Sequence, residues 1–87
     1  MIPLYKKNNI KYLQQADADD FVGSTKNGIY SINVNSNNKN FPFNGGTLVV
    51  SFGSSSWGFQ EFVPYATNNN TKYIRNYFGK WSSWKAL

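Results

Sequence analysis

The chain has 87 residues, no Cys, no His and a formal net charge of +5. That length allows one small domain, which buries only about 60–65% of its unfolded surface, and without Cys no disulfide or Cys-based metal site can staple it. Without His or Cys, the Ser-His-Asp and Cys-His arrangements, ordinary zinc sites and imidazole acid–base chemistry are all excluded. Two remedies for a small core remain: burial against further copies of the chain, and large buried side chains. Seven Phe, six Tyr and three Trp supply the second. Net charge of this size biases the surface toward polyanions, although it more often serves solubility. No apolar run approaches the roughly 18 residues of a membrane span, and the first residues lack the hydrophobic centre of a signal peptide. A soluble protein with no membrane partner and no visible secretion signal is therefore expected.

Residues 1–15 mix polar and aromatic types without periodicity. Pro3 resists regular structure, Asn8-Asn9 marks a turn, and Ile10–Leu13 fits a short strand or the end of a stalk. Gln14–Val22 holds the chain's helix formers, so one short helix of a turn or two is expected there, ended by Gly23–Gly28. From Gly28 the pattern is β. Ile29–Val34 alternates, with Tyr30, Ile32 and Val34 on one face. Asn35–Asn40 is a polar loop and Phe41–Gly46 turns the chain. Thr47–Phe52 is the most apolar run and reads as the central strand. Gly53–Ser56 is a turn that lacks the Gly-Lys-Ser/Thr ending of a phosphate loop. Trp57–Tyr65 is the next strand, with Pro64 marking an edge or a strand end. Residues 66–71 form a loop into a terminal hairpin of Tyr73–Phe78, a Gly79-Lys80 turn and Trp81–Leu87. On its first strand Tyr73, Arg75 and Tyr77 share one face, while Ile74 and Phe78 take the other. The fold class is mainly β (α+β at most): a small antiparallel meander of about five strands with one short N-terminal helix. The thirteen Asn read as a compositional bias.

Four carboxylates remain as chemistry. Asp17, Asp19 and Asp20 are clustered and Glu61 stands alone in a strand. A glycosidase pair needs two carboxyls facing across a cleft, which nothing in the pattern provides. The Asp cluster lacks the further carboxylate and the Gly of an EF-hand loop, so it reads as a solvated helix start. No catalytic residue, metal site or cofactor is expected. The aromatic and cationic group is the better candidate. Tyr73, Arg75, Tyr77, Trp81 and Trp84 have the chemistry to stack on sugar rings, with Lys72, Lys80 and Lys85 to attract an anion. Trp57 and Tyr65, bounding the preceding strand, complete the candidate glycan-binding set. Against this, Trp81 and Trp84 suit the closing of a hydrophobic core, the heavier of the two readings. The Lys residues are scattered, which speaks against a nucleic-acid partner.

The order of these motifs carries a resemblance. An Asp-rich segment, Gly28-Ile29-Tyr30, a Pro-containing loop, Gly46-Thr-Leu-Val-Val50, Gln60, Tyr73-Ile74-Arg75 and Trp81-Ser-Ser-Trp84 follow one another over residues 17–87. That order resembles the pyocin-knob domain of bacteriophage and R-type pyocin tail fibres. The resemblance implies residues 17–87 as a non-enzymatic β knob, with 1–16 as an attachment or stalk segment. It also implies a homotrimer located on the virion, on a tail or capsid fibre, with other fibre or baseplate proteins as neighbours. The implied role is host-surface attachment through an anionic glycan (teichoic acid or polysaccharide), or a structural tip. Gly28, Tyr30, Gln60, Arg75, Trp81 and Trp84 are the positions carried over, mainly as structural residues, with Arg75 facing Gln60 or a strand-end carbonyl. The alternative is a monomeric, stand-alone carbohydrate-binding or cell-wall-targeting module.

Overall fold

The computed structural model describes residues 9–65 and 71–87. Among them, strands β1 (Ile10–Leu13), β2 (Gly28–Ile32), β3 (Gly46–Phe52), β4 (Trp57–Pro64), β5 (Tyr73–Phe78) and β6 (Lys85–Ala86) form one sheet, hydrogen-bonded in chain order. β3 shows why this sequence makes a sheet. Its alternation buries Leu48, Val50 and Phe52 on one face, while Thr47, Val49 and Ser51 on the other stay half-exposed. β3 and β4 occupy the centre, as the apolar run at Thr47–Phe52 predicts.

Leu48 pairs with Tyr30 and Phe62, and Val50 with Gln60, so the buried positions line up across three strands. Phe52 stands opposite Gly58, where a Cβ would lie 2.4 Å from the Phe52 ring; only glycine admits that ring. At the end of β3 the Asn27 side chain replaces a strand partner. Its amide donates to the Phe52 carbonyl at 3.0 Å, and its oxygen accepts from the Phe52 N–H at 2.7 Å.

The sheet differs from an antiparallel meander at its first strand. β1 runs parallel to β2, with Leu13 opposite Ile32. Parallel neighbours need a crossover, and residues 14–27 supply it across the inner face. The short helix expected there is instead two 3-10 turns, Ala18–Asp20 and Ser24–Lys26. Asp17 explains the first, because its carboxylate caps the Asp19 N–H at 2.9 Å, and Gly23 at φ +95° then breaks the chain before an α turn can close. The crossover buries Ala18 and Phe21, the latter edge-on to Tyr30 with ring centroids 4.7 Å apart.

The unit therefore begins before residue 17, since Ile10–Leu13 lies in its sheet. Of the attachment segment, residues 1–8 lie outside the described residues, as do residues 66–70 of the loop before the terminal hairpin. Val34, expected to face inward with Tyr30 and Ile32, falls beyond the end of β2 and is exposed.

The terminal hairpin turns at Gly79, φ +79°, and Trp81 bridges Tyr77. It does not continue as one regular strand. The register advances by one residue between the Tyr77–Trp81 bridge and the Ile74–Lys85 pair, so Ser82 and Ser83 both stand opposite Asn76. Ser82 bonds Asn76 twice, its N–H to the carbonyl at 2.8 Å and its Oγ accepting from the N–H at 3.0 Å. This is a β-bulge. In an unbroken strand, residues three apart face opposite ways; the extra residue turns Trp81 and Trp84 onto the same inner face.

Candidate functional site

The inner face of β4 and β5 carries Gln60 and Arg75 as cross-strand partners, both buried, in a core otherwise apolar. A buried guanidinium demands compensation, and the fold supplies it from four directions. Arg75 Nε donates to Gln60 Oε1 at 2.9 Å, and Nη1 pairs with Asp19 Oδ1 at 2.9 Å. Trp81 and Trp84 cover the guanidinium, with ring centroids 4.0 and 4.6 Å from Cζ. Gln60 passes the connection on, donating from Nε2 to the Ala18 carbonyl at 2.8 Å. Burial draws the Arg75 guanidinium below its ordinary value, while the bond and charge of Asp19 and the charge of Asp17 draw it back. Two buried donors, Arg75 Nη2 and Trp81 Nε1, have no acceptor among the described residues. Nη2 shares in the π contact of its guanidinium with the two indoles, which is its compensation.

The clamp extends outward through hydrogen bonds. Trp84 Nε1 donates to the Asn40 carbonyl at 2.8 Å, and Asn40 Nδ2 donates to Asp17 Oδ1 at 2.7 Å. Asn40 holds φ +65°, a conformation Asn tolerates better than most residues. Asp17 and Asp19 of the Asp cluster are thus spent within the molecule, on the cap and Asn40 and on Arg75. The Asn-rich loop is likewise not mere bias. Asn38 accepts from the Ala16 N–H and donates to the Asn33 carbonyl, and Asn35 donates to the Gln14 carbonyl, fastening the loop to the crossover.

The seven residues proposed from sequence for glycan contact are not brought together. Tyr73, Arg75, Tyr77, Trp81 and Trp84 lie on the inner face, where Trp81 meets Phe52 and Tyr77, and Trp84 meets Phe62. Arg75, 5% exposed, offers no guanidinium to a phosphate or a sugar acid outside. Trp57 and Tyr65 are exposed, but on opposite sides of the sheet's far surface. Trp57 opens β4 opposite Phe78, and Tyr65 follows β4 at its other end.

Tyr65 borders a cleft of about 470 Å³ shared with Ser31, Asn33, Thr47 and Val63, at the end of β2, β3 and β4. Its backbone is fixed by a 3.1 Å bond from the Tyr65 N–H to the Gly45 carbonyl. The lining is uncharged. It combines an aromatic ring, an apolar wall and two hydroxyls, a set that binds a polar ring with apolar faces. Sequence reasoning singled out Tyr65 alone. Ser31 and Thr47 carried no signal of their own, because only the β2–β3 register, Ser31 opposite Thr47, makes them neighbours. Among the described residues, no three of His, Cys, Asp and Glu form a metal-binding group. Comparison with protein-family models, with curated proteins and with solved structures found no match.

Proposed function

We propose that this chain is a non-enzymatic attachment module of a virion fibre, a knob that holds a host-surface glycan and acts in several copies. Three copies, beside other fibre or baseplate proteins, is the arrangement implied by the resemblance to pyocin-knob domains. The observation that carries the reading is the convergence of the residues on which that resemblance rests. Gln60, Arg75, Trp81 and Trp84 are scattered in sequence, yet they form one contact set around a single guanidinium. A chance succession of weak motifs gives no reason for its members to meet. In this reading the clamp is the signature of the scaffold, and the ligand is held elsewhere.

The place assigned to the ligand is the Tyr65 cleft. Its ring suits the apolar face of a pyranose, and the Ser31 and Thr47 hydroxyls suit the sugar's own. Because the lining carries no charge, it fits a neutral sugar unit of a teichoic acid or polysaccharide better than a phosphate or carboxylate. Affinity per cleft is weak and is multiplied by the number of copies.

Immobilised bacterial surface polysaccharides test the assignment. Multivalent display of the chain is expected to give retention, and Tyr65→Ala to weaken it about tenfold, the loss of about 1.4 kcal/mol of stacking and contact. Failure to retain any such polysaccharide, or turnover of one, overturns the attachment reading. Retention by a chain that stays monomeric at all concentrations instead selects the stand-alone cell-wall-targeting module.

A further inference from the structure

Every exposed large hydrophobic residue that lies within a strand is on one surface. Tyr12, Trp57, Val63 and Phe78 all sit on the face of the sheet opposite the core, with relative exposures of 71, 56, 46 and 81%. An antiparallel sheet with one wet face alternates apolar-in with polar-out; this sheet does so only in part, with Ser31, Thr47, Ser51 and Asn76 as its uncharged polar positions outside. Between those four, the outer positions hold Ile29, Val49, Phe59 and Ile74, half-buried by their own neighbours. Eight apolar positions on an outer face, four of them large and exposed, suit a cover of their own. The inner face has the crossover and the two tryptophans. Nothing in the described chain covers the outer one.

The strand positions of that face carry two charges, and they are of opposite sign. Glu61 on β4 and Lys85 on β6 lie in one row, each directly beside Ile74. Among the described residues Glu61 has no ion-pair partner, the salt bridge there being Arg75–Asp19. An apolar surface with a lone carboxylate and a lone ammonium in one row complements itself. At about 4.8 Å per strand and 3.3 Å per residue, the whole face, six strands of about five residues, has a flat area near 500 Å², less at the end where Ser31, Thr47 and Val63 line the Tyr65 cleft. Protruding rings raise this toward the roughly 800 Å² per partner of a stable interface.

We infer that the outer sheet face packs against a second copy of this chain, with Glu61 of each copy meeting Lys85 of its neighbour. The contact centres on Val49, Phe59 and Ile74 and takes in Trp57 and Phe78, so the Tyr65 cleft lies toward the opposite end of the strands. The interface stands apart from glycan attachment: association without glycan retention keeps it, and retention by a monomer removes it together with the multi-copy fibre while leaving attachment itself.

Sedimentation of the full chain at micromolar to millimolar concentration is expected to give a defined multimer. Phe78→Ser, at a position too exposed to matter to the fold, is expected to weaken association about tenfold. Glu61→Lys and Lys85→Glu should each weaken it several-fold at low salt, and the chain carrying both should recover. Near-UV circular dichroism of each variant reports whether the indole environment of the core is kept. A wild-type chain that is monomeric throughout overturns the inference. So does a multimer that none of these substitutions loosens, or a double charge reversal no better than the single ones.

Discussion

Arg75 is the residue on which the inner face turns, because the cost of burying its charge is offset only by all its contacts together. Lysine keeps the charge but not the planar fork, so it cannot reach Gln60 and Asp19 at once or lie flat between two indoles. Arg75→Lys is therefore expected to cost about 3 kcal/mol, as breaking a buried polar network does. Arg75→Met, which fills the slot without a charge, should cost less than lysine. Denaturant midpoints with unchanged slopes check the order; a lysine variant as stable as wild type would sink this account of the clamp. Tyr30 tests burial in a different way. Its hydroxyl donates to the Lys26 carbonyl at 2.7 Å, and burial raises the phenol above its ordinary 10.0. A group whose folded value is raised favours the folded state while protonated. Its contribution is complete below pH 10 and is lost as pH climbs through the folded value. Tyr30→Phe should be about 1 kcal/mol less stable at pH 8, for the lost hydrogen bond, with the gap narrowing above pH 10. Denaturation midpoints between pH 8 and 11 show whether the two curves converge.

At the scale of elements the terminal hairpin is decisive, and its working part is the irregularity. The Ser82–Ser83 bulge sets both indoles over one guanidinium although they lie three apart; deleting Ser83 leaves them two apart, so a regular ladder keeps Trp84 inward opposite Arg75 and removes only the bulge. That deletion is therefore expected to keep both indoles in the core and cost about 1 kcal/mol, the order of Ser82→Ala, which loses the bond to the Asn76 N–H, whereas Trp84→Ala should destabilise by about 2–4 kcal/mol. Thermal melts followed at 295 nm separate the two. The same hairpin shows how far the sequence could be read. Aromatic and β-branched runs gave β2 to β5 and the one face shared by Tyr73, Arg75 and Tyr77, since alternation is a local property of the chain. The bulge, the parallel β1 and the 3-10 crossover were hidden because each depends on a partner distant in sequence. Ser82 matters only through Asn76, Ile10–Leu13 only through β2, and Asp19 only through Arg75. The Tyr65 cleft was hidden for the same reason, and the aromatic set read as one binding group was divided between core and surface by a pleat that composition does not encode.

For the whole molecule, the two faces of the sheet set its stability differently. The inner face is closed within the chain, since crossover, Asn-rich loop and hairpin all fasten to it through Gln60, Arg75, Asn40 and Trp84. Folding energy from that side is independent of concentration. The outer face contributes only when a second copy covers it, so burial there couples folding to association. Each tenfold rise in concentration should then add about 1.4 kcal/mol of stability per assembled pair, visible as a rising melting temperature. Val49→Lys places a charge at the centre of that face without touching the core, because Val49 points away from Leu48 and Val50. The variant should melt at one temperature whatever its concentration, and that temperature should match the dilute limit of the wild type. A wild-type melt that ignores concentration would mean that this small sheet is held by its inner face alone, with the apolar outer rings left to water.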